Sequence, residues 1–173
     1  DRMAIALSRS IVVLVRSSEL GPSYPKQPGV YDSIYVPTAN YFTGPVDMHD
    51  MSWGDEGLWG VNTRFSCLAL IDDTYSFRPE WVPSFITKLV GEDRCHLNGL
   101  AMEDGRPRYV TALGATDSAK EWRKDKVGGG IVIDVETDEI VLEGLAMPHS
   151  PRIYQDKLFL LLSATGELVC ADP

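Results

Sequence analysis

Three histidines, the only ones in the 173-residue chain, share one sequence frame. Each stands five residues after a glycine, in the segments 44–49, 91–96 and 144–149. Neutral imidazole is a common ligand of divalent metal ions, and three imidazoles that leave one coordination position open form a Lewis acid able to activate water or dioxygen. The repeated frame predicts that His49, His96 and His149 are in register and ligate one divalent metal ion. Iron, zinc and copper are the metals expected first, and nickel and manganese remain open because geometry and availability decide the metal more than ligand type does.

Two polar residues stand two positions from a histidine. Side chains on a strand alternate between its two faces, so Asp47 can share the face of His49, and Asn98 that of His96. Asp47 is then a fourth ligand or a general base, and Asn98 offers an amide to the substrate or to metal-bound water. Asp50 points away from His49 unless the strand bends.

Two arginines also lie near histidines in the sequence. Arg94 and Arg152 can hold a carboxylate or phosphate of a substrate through a bidentate contact. They can equally be solvated, or paired with nearby acids such as Glu92 and Asp93.

A structural role for the histidines is the competing interpretation. Repeated β-sheet units often carry a histidine that only hydrogen-bonds within its own unit. Three histidines in one frame favour a shared site over that alternative. The glycines before them are predicted to be turn or bulge residues that lead the chain into a strand.

The sequence pattern of the rest of the chain predicts mainly β-strands. Short apolar runs rich in β-branched and aromatic residues are bounded by turn residues, among them 11–15, 58–61, 65–71, 108–113, 158–162 and 167–171. The segment 131–142 predicts a hairpin, because two β-branched runs surround the tetrapeptide ETDE. Helical periodicity is weak, and 83–90 is the best candidate for one or two helical turns.

The repeat has the length of a β-propeller blade. His49 and His96 are 47 residues apart and His96 and His149 are 53 apart, close to the ~40–50 residues of a four-stranded blade. Thr63 and Ser163 both follow a histidine by fourteen residues. We therefore predict an all-β fold, a β-propeller-like array of four-stranded blades with about three and a half blades in this chain. Residues 1–173 are predicted to form a single propeller-like domain. This domain is expected to be a fragment of a larger propeller, with truncation at either end as a possibility.

Composition and charge indicate which classes of partner the chain is expected to bind. The chain has 16 basic and 25 acidic residues, a formal charge of −9, and no basic cluster interleaved with aromatic residues, which argues against nucleic acid. Its apolar runs fall far below the roughly 20 residues of a bilayer span, so no membrane association is predicted. Three widely spaced cysteines without a C-x-x-C pair predict neither disulfides nor a cysteine zinc site, only small buried hydrophobes in a cytoplasmic protein.

Several strings resemble a family of bacterial conserved hypothetical proteins. They include GPVDMHD, LWGVNTRFSCLALID, DRCHLNGLAM, GGGIVIDV and GLAMPHSPRIY, and RCHLNGLA and MPHSPR are the most specific. The resemblance covers about residues 28–173. It implies a propeller-like fold and further chain beyond the C-terminal end, and it implies no particular reaction.

Three functions follow as hypotheses. The first is an enzyme with the tris-histidine metal in a propeller channel, acting on a small polar metabolite by hydrolysis, isomerisation or oxidation. The second is a non-catalytic propeller that binds a small molecule or peptide. The third is a scaffold that uses its rim for protein contacts. A homo-oligomer or the remaining propeller blades would complete the open sheet edges.

Overall fold

The computed structural model describes residues 1–172 and contains fourteen strands and one short 3₁₀ helix, Glu121–Asp125, within that range. The strands form four open antiparallel sheets, each an up-and-down meander. Sheet 1 consists of β1 (Arg2–Ala6), β2 (Ile11–Ser17) and β3 (Ile34–Tyr41). Sheet 2 consists of β4 (Met48–Gly54), β5 (Gly57–Asn62), β6 (Cys67–Ile71) and β7 (Arg78–Trp81). Sheet 3 consists of β8 (Leu97–Glu103), β9 (Arg106–Ala112), β10 (Gly130–Asp134) and β11 (Ile140–Leu145). Sheet 4 consists of β12 (Pro148–Tyr154), β13 (Lys157–Leu162) and β14 (Glu167–Ala171). The predicted all-β class is confirmed.

The chain divides into two compact units, the first covering Asp1–Pro45 and the second beginning at Val46. Unit 1 holds sheet 1, in which β2 pairs with both β1 and β3 and buries Ile11 and Val13. Unit 2 holds sheets 2, 3 and 4 and all three histidines. The single domain over 1–173 stays a prediction.

Two local predictions have different outcomes. The hairpin around ETDE is present as β10 and β11, and its turn is held by Asp134, whose carboxylate accepts hydrogen bonds from the amides of Glu136 and Thr137. The helical turns predicted at 83–90 are absent, since the segment runs irregularly apart from one turn in which Ile86 N donates to Pro83 O. The β-branched residues Ile86, Thr87 and Val90 lower the helix propensity of the segment.

The sheets of unit 2 stack face to face. One core cluster lies between sheets 2 and 3. It includes Val61, Leu68, Leu97 and Val110, which are all fully buried. A second cluster lies between sheets 3 and 4, and its buried residues are Ala101, Tyr109, Val132, Leu158 and Leu160. Apolar burial of this kind is the main stabilising contribution, about 25 cal/mol per Å² of apolar surface removed from water.

The first strands of sheets 2, 3 and 4 lie side by side, with β8 packed against both β4 and β12. Each pairs with the following strand through a register shift near its beginning: between Met48 and Met51, between Leu97 and Gly99, and between His149 and Arg152. These three strands position the predicted site. Among residues 1–172 no helix has the length and apolar character needed to cross a bilayer.

Candidate functional site

The structure corrects the expected histidine register. The pairs Met48↔Asn62, Leu97↔Ala112 and Pro148↔Leu162 open the three equivalent ladders, so the residues before them are equivalent. Those residues, Asp47, His96 and Met147, share a left-handed backbone with φ of 51°, 53° and 55°. His96 is therefore equivalent to Asp47 and Met147, whereas Asn98 is equivalent to His49 and His149.

The glycine frame misled the sequence alignment at the middle repeat. Gly44 and Gly144 have φ of 71° and 73°, and no atom lies within 4 Å of a Cβ built on either. In the middle repeat the equivalent left-handed residue is Asp93, with φ of 52°, and not Gly91. Aspartate tolerates the left-handed region better than most residues, which allows it to replace glycine there.

His49 and His149 have matching surroundings. His49 Nδ1 lies 3.0 Å from the carbonyl oxygen of Asp47 and 2.7 Å from Thr63 Oγ1. His149 Nδ1 lies 3.0 Å from the carbonyl oxygen of Met147 and 3.2 Å from Ser163 Oγ. Because the carbonyls only accept, both imidazoles carry their proton on Nδ1 and donate it. The Thr63 and Ser163 match seen in the sequence thus corresponds to one repeated hydrogen-bond pattern.

Asn98 occupies the third equivalent position and is buried. Its Oδ1 accepts a 2.6 Å hydrogen bond from Thr111 Oγ1, which orients the amide so that Nδ2 faces His149 Nε2 at 3.3 Å. Nδ2 then donates to Nε2, in agreement with a proton on His149 Nδ1. The side chain predicted to meet a ligand is instead a link between β8 and β12.

His96 contacts three groups from its left-handed position. Its Nδ1 lies 3.1 Å from each carboxylate oxygen of Asp93, so the imidazole donates to that acid. Its ring stacks on Trp122 at 4.2 Å between centroids and meets the ring of His49 edge-on at 4.9 Å. Trp122 Nε1 in turn donates to the carbonyl oxygen of Asp93 at 3.1 Å. The structure therefore brings His49 and His96 together, and separately joins His149 to Asn98.

A protein metal site usually needs at least three ligating side chains that converge on one point. Over the described residues, 1–172, no group of three or more His, Cys, Asp or Glu side chains is placed so that it can hold a metal ion. Each histidine nevertheless holds an acceptor at Nδ1, the outer-shell arrangement that metal-ligating histidines also use. In the neutral form that keeps its proton on Nδ1, each of the His49 and His96 rings has a lone pair on Nε2.

Asp47 does not place its carboxylate beside His49 through strand alternation. It precedes β4 in the left-handed conformation, its side chain is exposed, and its carbonyl oxygen is the group that meets the imidazole.

Arg94 is engaged in ion pairs. Its guanidinium lies 2.8 Å from Asp117 Oδ1 and 2.9 Å from Glu92 Oε2, which matches the pairing alternative for this residue. Hydrogen bonds from Thr87 and then from Arg94 lower the pKa of the Asp117 carboxyl to about 2. Arg94 thus ties the segment after β7 to the one after β9.

Arg152 forms a bidentate pair with Asp50, at 2.9 Å and 3.1 Å. Asp50 Oδ2 also accepts from Leu100 N at 3.1 Å, and Oδ1 from Met51 N at 3.0 Å. The register shift between Met48 and Met51 turns Asp50 toward β8 and β12, the bend that the sequence left open. One carboxylate therefore joins β4, β8 and β12.

Sequence reasoning did not assign Trp122, Asp93 or Thr111 to the site. Trp122 lies more than twenty residues from the nearest histidine, in the 3₁₀ helix, and no spacing rule connects the two. Asp93 has a usable signal, because an acid three residues before a histidine can orient the imidazole through a turn.

A comparison with protein families assigns this chain to a family and gives no activity. No curated protein matches the chain. A family model described as a domain of unknown function, DUF4915, matches residues 1–173. The chain belongs to the DUF4915 family.

Proposed function

We propose that sheets 2, 3 and 4 are blades of a β-propeller-like array whose first strands bind a small polar ligand through His49 and His96. The blade interpretation is supported by the period of about 50 residues, the repeated meander and the adjacency of β4, β8 and β12. It is also supported by the left-handed residue that directly precedes each of these strands.

The observation that carries the ligand proposal is the meeting of two imidazoles whose Nδ1 atoms are both held. The centroids of the His49 and His96 rings lie 4.9 Å apart. In each ring, an acceptor on the protein fixes the proton on Nδ1. Two neutral imidazoles in this tautomer present Nε2 as hydrogen-bond acceptors. A ligand that donates hydrogen bonds, such as a polyol or a primary amine, suits them.

Charge favours the same class. Asp93 lies against His96, the chain carries a formal charge of −9, and Arg94 and Arg152 are already paired with acids. A negative local field attracts cations and disfavours anionic metabolites.

The test is ¹H–¹⁵N spectroscopy of the three imidazoles during titration with glucose, inositol, ethanolamine and spermidine. We expect at least one probe to shift the Nε2 resonances of His49 and His96, and His96→Gln to weaken that binding tenfold or more. His149→Gln is the matched control with a smaller effect, because Asn98 already occupies His149 Nε2. Unchanged imidazole spectra with all four probes contradict the proposal.

A metal-dependent enzyme is the second candidate, and the Nδ1 acceptors at all three histidines favour it. Bound metal would polarise water or a carbonyl beside His49 and His96. Elemental analysis of tag-free wild type and of His96→Ala decides it. A metal near one per chain that is lost in the variant supports the enzyme, whereas folded, metal-free protein indifferent to added divalent ions contradicts it.

A further inference from the structure

The connection between β9 and β10 departs from the repeat of unit 2. Strands β5, β9 and β13 occupy the same place in their sheets, each next to the first strand. Four residues connect β5 to β6, at 63–66, and four connect β13 to β14, at 163–166. Seventeen residues, 113–129 and here named the sheet-3 loop, connect β9 to β10. The repeat needs only a short turn at this point, and a connection this long between antiparallel neighbours is uncommon and usually functional.

The position of the histidine is the second departure in sheet 3. His49 and His149 follow the left-handed residue by two positions and hold their Nδ1 against its carbonyl oxygen, at 3.0 Å in both cases. His96 occupies the left-handed position itself. Its Nδ1 instead meets the carboxylate of Asp93 at 3.1 Å. The orientation of His96 therefore depends on an acceptor that the repeat does not supply.

The two departures contact each other at Asp93. The backbone N–H of Lys120 and the indole Nε1–H of Trp122, both in the sheet-3 loop, donate to the carbonyl oxygen of Asp93 at 3.2 Å and 3.1 Å. The amide of Asp93 donates to the carbonyl oxygen of Arg64 at 2.9 Å. Both backbone polar groups of Asp93 are thus engaged, which holds its left-handed conformation and the direction of its carboxylate.

Trp122 packs on the imidazole of His96. The indole is buried but belongs to neither of the two core clusters, and its ring lies 4.2 Å from that of His96 between centroids. His49 meets the same imidazole edge-on. The loop that carries Trp122 is itself anchored at Asp117, whose carboxylate accepts from Arg94 at 2.8 Å. The imidazole of His96 is therefore confined by two rings and one carboxylate.

We propose that Asp93 and Trp122 are positioning residues that keep His96 in the tautomer with its proton on Nδ1. The carboxylate accepts that proton's hydrogen bond, and the sheet-3 loop holds both the carboxylate and the ring. A neutral imidazole otherwise exchanges between two tautomers, and in the second one Nε2 is a donor. The inference rests on the proposed ligand site and adds its selectivity: the sheet-3 loop favours ligands that donate a hydrogen bond to His96 over ligands that accept one.

The experiment is ¹⁵N spectroscopy of the imidazoles in ligand-free protein at about pH 9, well above the ordinary pKa of histidine, where the neutral tautomers dominate. The quantity measured is the ratio of the Nδ1–H to the Nε2–H tautomer at His96. Asp93→Gly removes the carboxylate and tolerates the left-handed backbone. We expect this variant to lower the ratio about tenfold, because hydrogen bonds to charged acceptors are among the stronger ones in proteins.

Two variants of Trp122 separate the contributions of the indole. Trp122→Leu removes both the ring over His96 and the donor to Asp93, and it should lower the tautomer ratio. Trp122→Phe keeps an aromatic ring and loses only the donor, so its ratio should lie between those of the wild type and Trp122→Leu. His149 is the internal control, because Met147 and Asn98 hold its ring, and its ratio should stay at the wild-type value in every variant.

Thermal unfolding checks that each variant folds, and Trp122→Phe decides the role of the indole if Trp122→Leu does not fold. An unchanged His96 ratio in Asp93→Gly or in the deciding Trp122 variant overturns the proposal, as does an equal change at His149. The tautomer is measured without ligand, so the two proposals fail separately. A lowered ratio with no probe bound contradicts the ligand site alone, whereas probe binding with an unchanged ratio contradicts the positioning role alone.

Discussion

Replacement of Asp50 tests whether one carboxylate organises the three strands of the candidate site. Asp50 is 13 % exposed at its side chain and accepts from Leu100 N on β8, from Met51 N on its own strand, and from Arg152 on β12. In Asp50→Ala the amide of Leu100 loses its acceptor, and Arg152 loses its carboxylate partner while it keeps the carbonyl oxygens of Leu100 and Pro151.

The magnitude follows from the exposure of each partner. Arg152 is 56 % exposed, so the ion pair contributes at most about 1 kcal/mol. The two backbone hydrogen bonds to a charged acceptor contribute about 1.5–3 kcal/mol each, with water replacing part of this near the strand surface. We expect Asp50→Ala to lower the free energy of unfolding by about 3 kcal/mol, and Arg152→Ala by about 1 kcal/mol.

Urea unfolding followed by tryptophan fluorescence measures both changes, and an unchanged slope with denaturant keeps the comparison valid. Asp73→Ala, at an exposed turn, is the control and should stay within about 0.5 kcal/mol of wild type. Equal losses for Asp50→Ala and Arg152→Ala would refute the reasoning, because the ion pair and not the backbone bonds would then carry the effect. So would a loss below about 1 kcal/mol for Asp50→Ala.

Three further predictions use single residues as reporters. At pH 8 a thiol reagent should modify one cysteine per folded chain, Cys170, and all three in denaturant, because the pKa of each of the two buried thiols is raised to about 12; mass spectrometry counts the labels. The pKa of Asp117 is lowered from 3.8 to about 2, so its stabilising contribution is present above pH 4 and is lost as pH falls toward 2. Asp117→Asn should flatten the acid limb of a stability-against-pH curve in that window, and an unchanged limb contradicts the assignment. Thr111→Val should destabilise the protein by about 1–3 kcal/mol in urea unfolding, since the buried Oδ1 of Asn98 loses its donor; a neutral effect would show that the bond is replaced by water.

The apolar strands could be predicted from the sequence, because a strand that is buried on both faces appears as a continuous run of apolar residues. Runs such as 67–71 and 130–134 are buried throughout, and every residue in them except Asp134 is glycine or has an apolar side chain. The first strands β4, β8 and β12 were harder to recognise as apolar runs, since polar side chains, glycine or proline interrupt their apolar residues. Their positions were inferred from the histidine repeat alone. Cys170, predicted to be a small buried hydrophobe, is instead exposed.

The sequence by itself determined the all-β class, the repeat of about 50 residues and the family, because these depend on composition, period and local strings. Only the tertiary structure decided that Asn98, and not His96, is equivalent to His49 and His149. That equivalence depends on strand register and on which residue takes the left-handed position. The two-residue difference between Gly91 and Asp93 keeps the alternation of side chains along the strand but moves His96 out of the position equivalent to His49 and His149. The same holds for Asp50 and Arg152, which are 102 residues apart and meet because β4, β8 and β12 pack side by side.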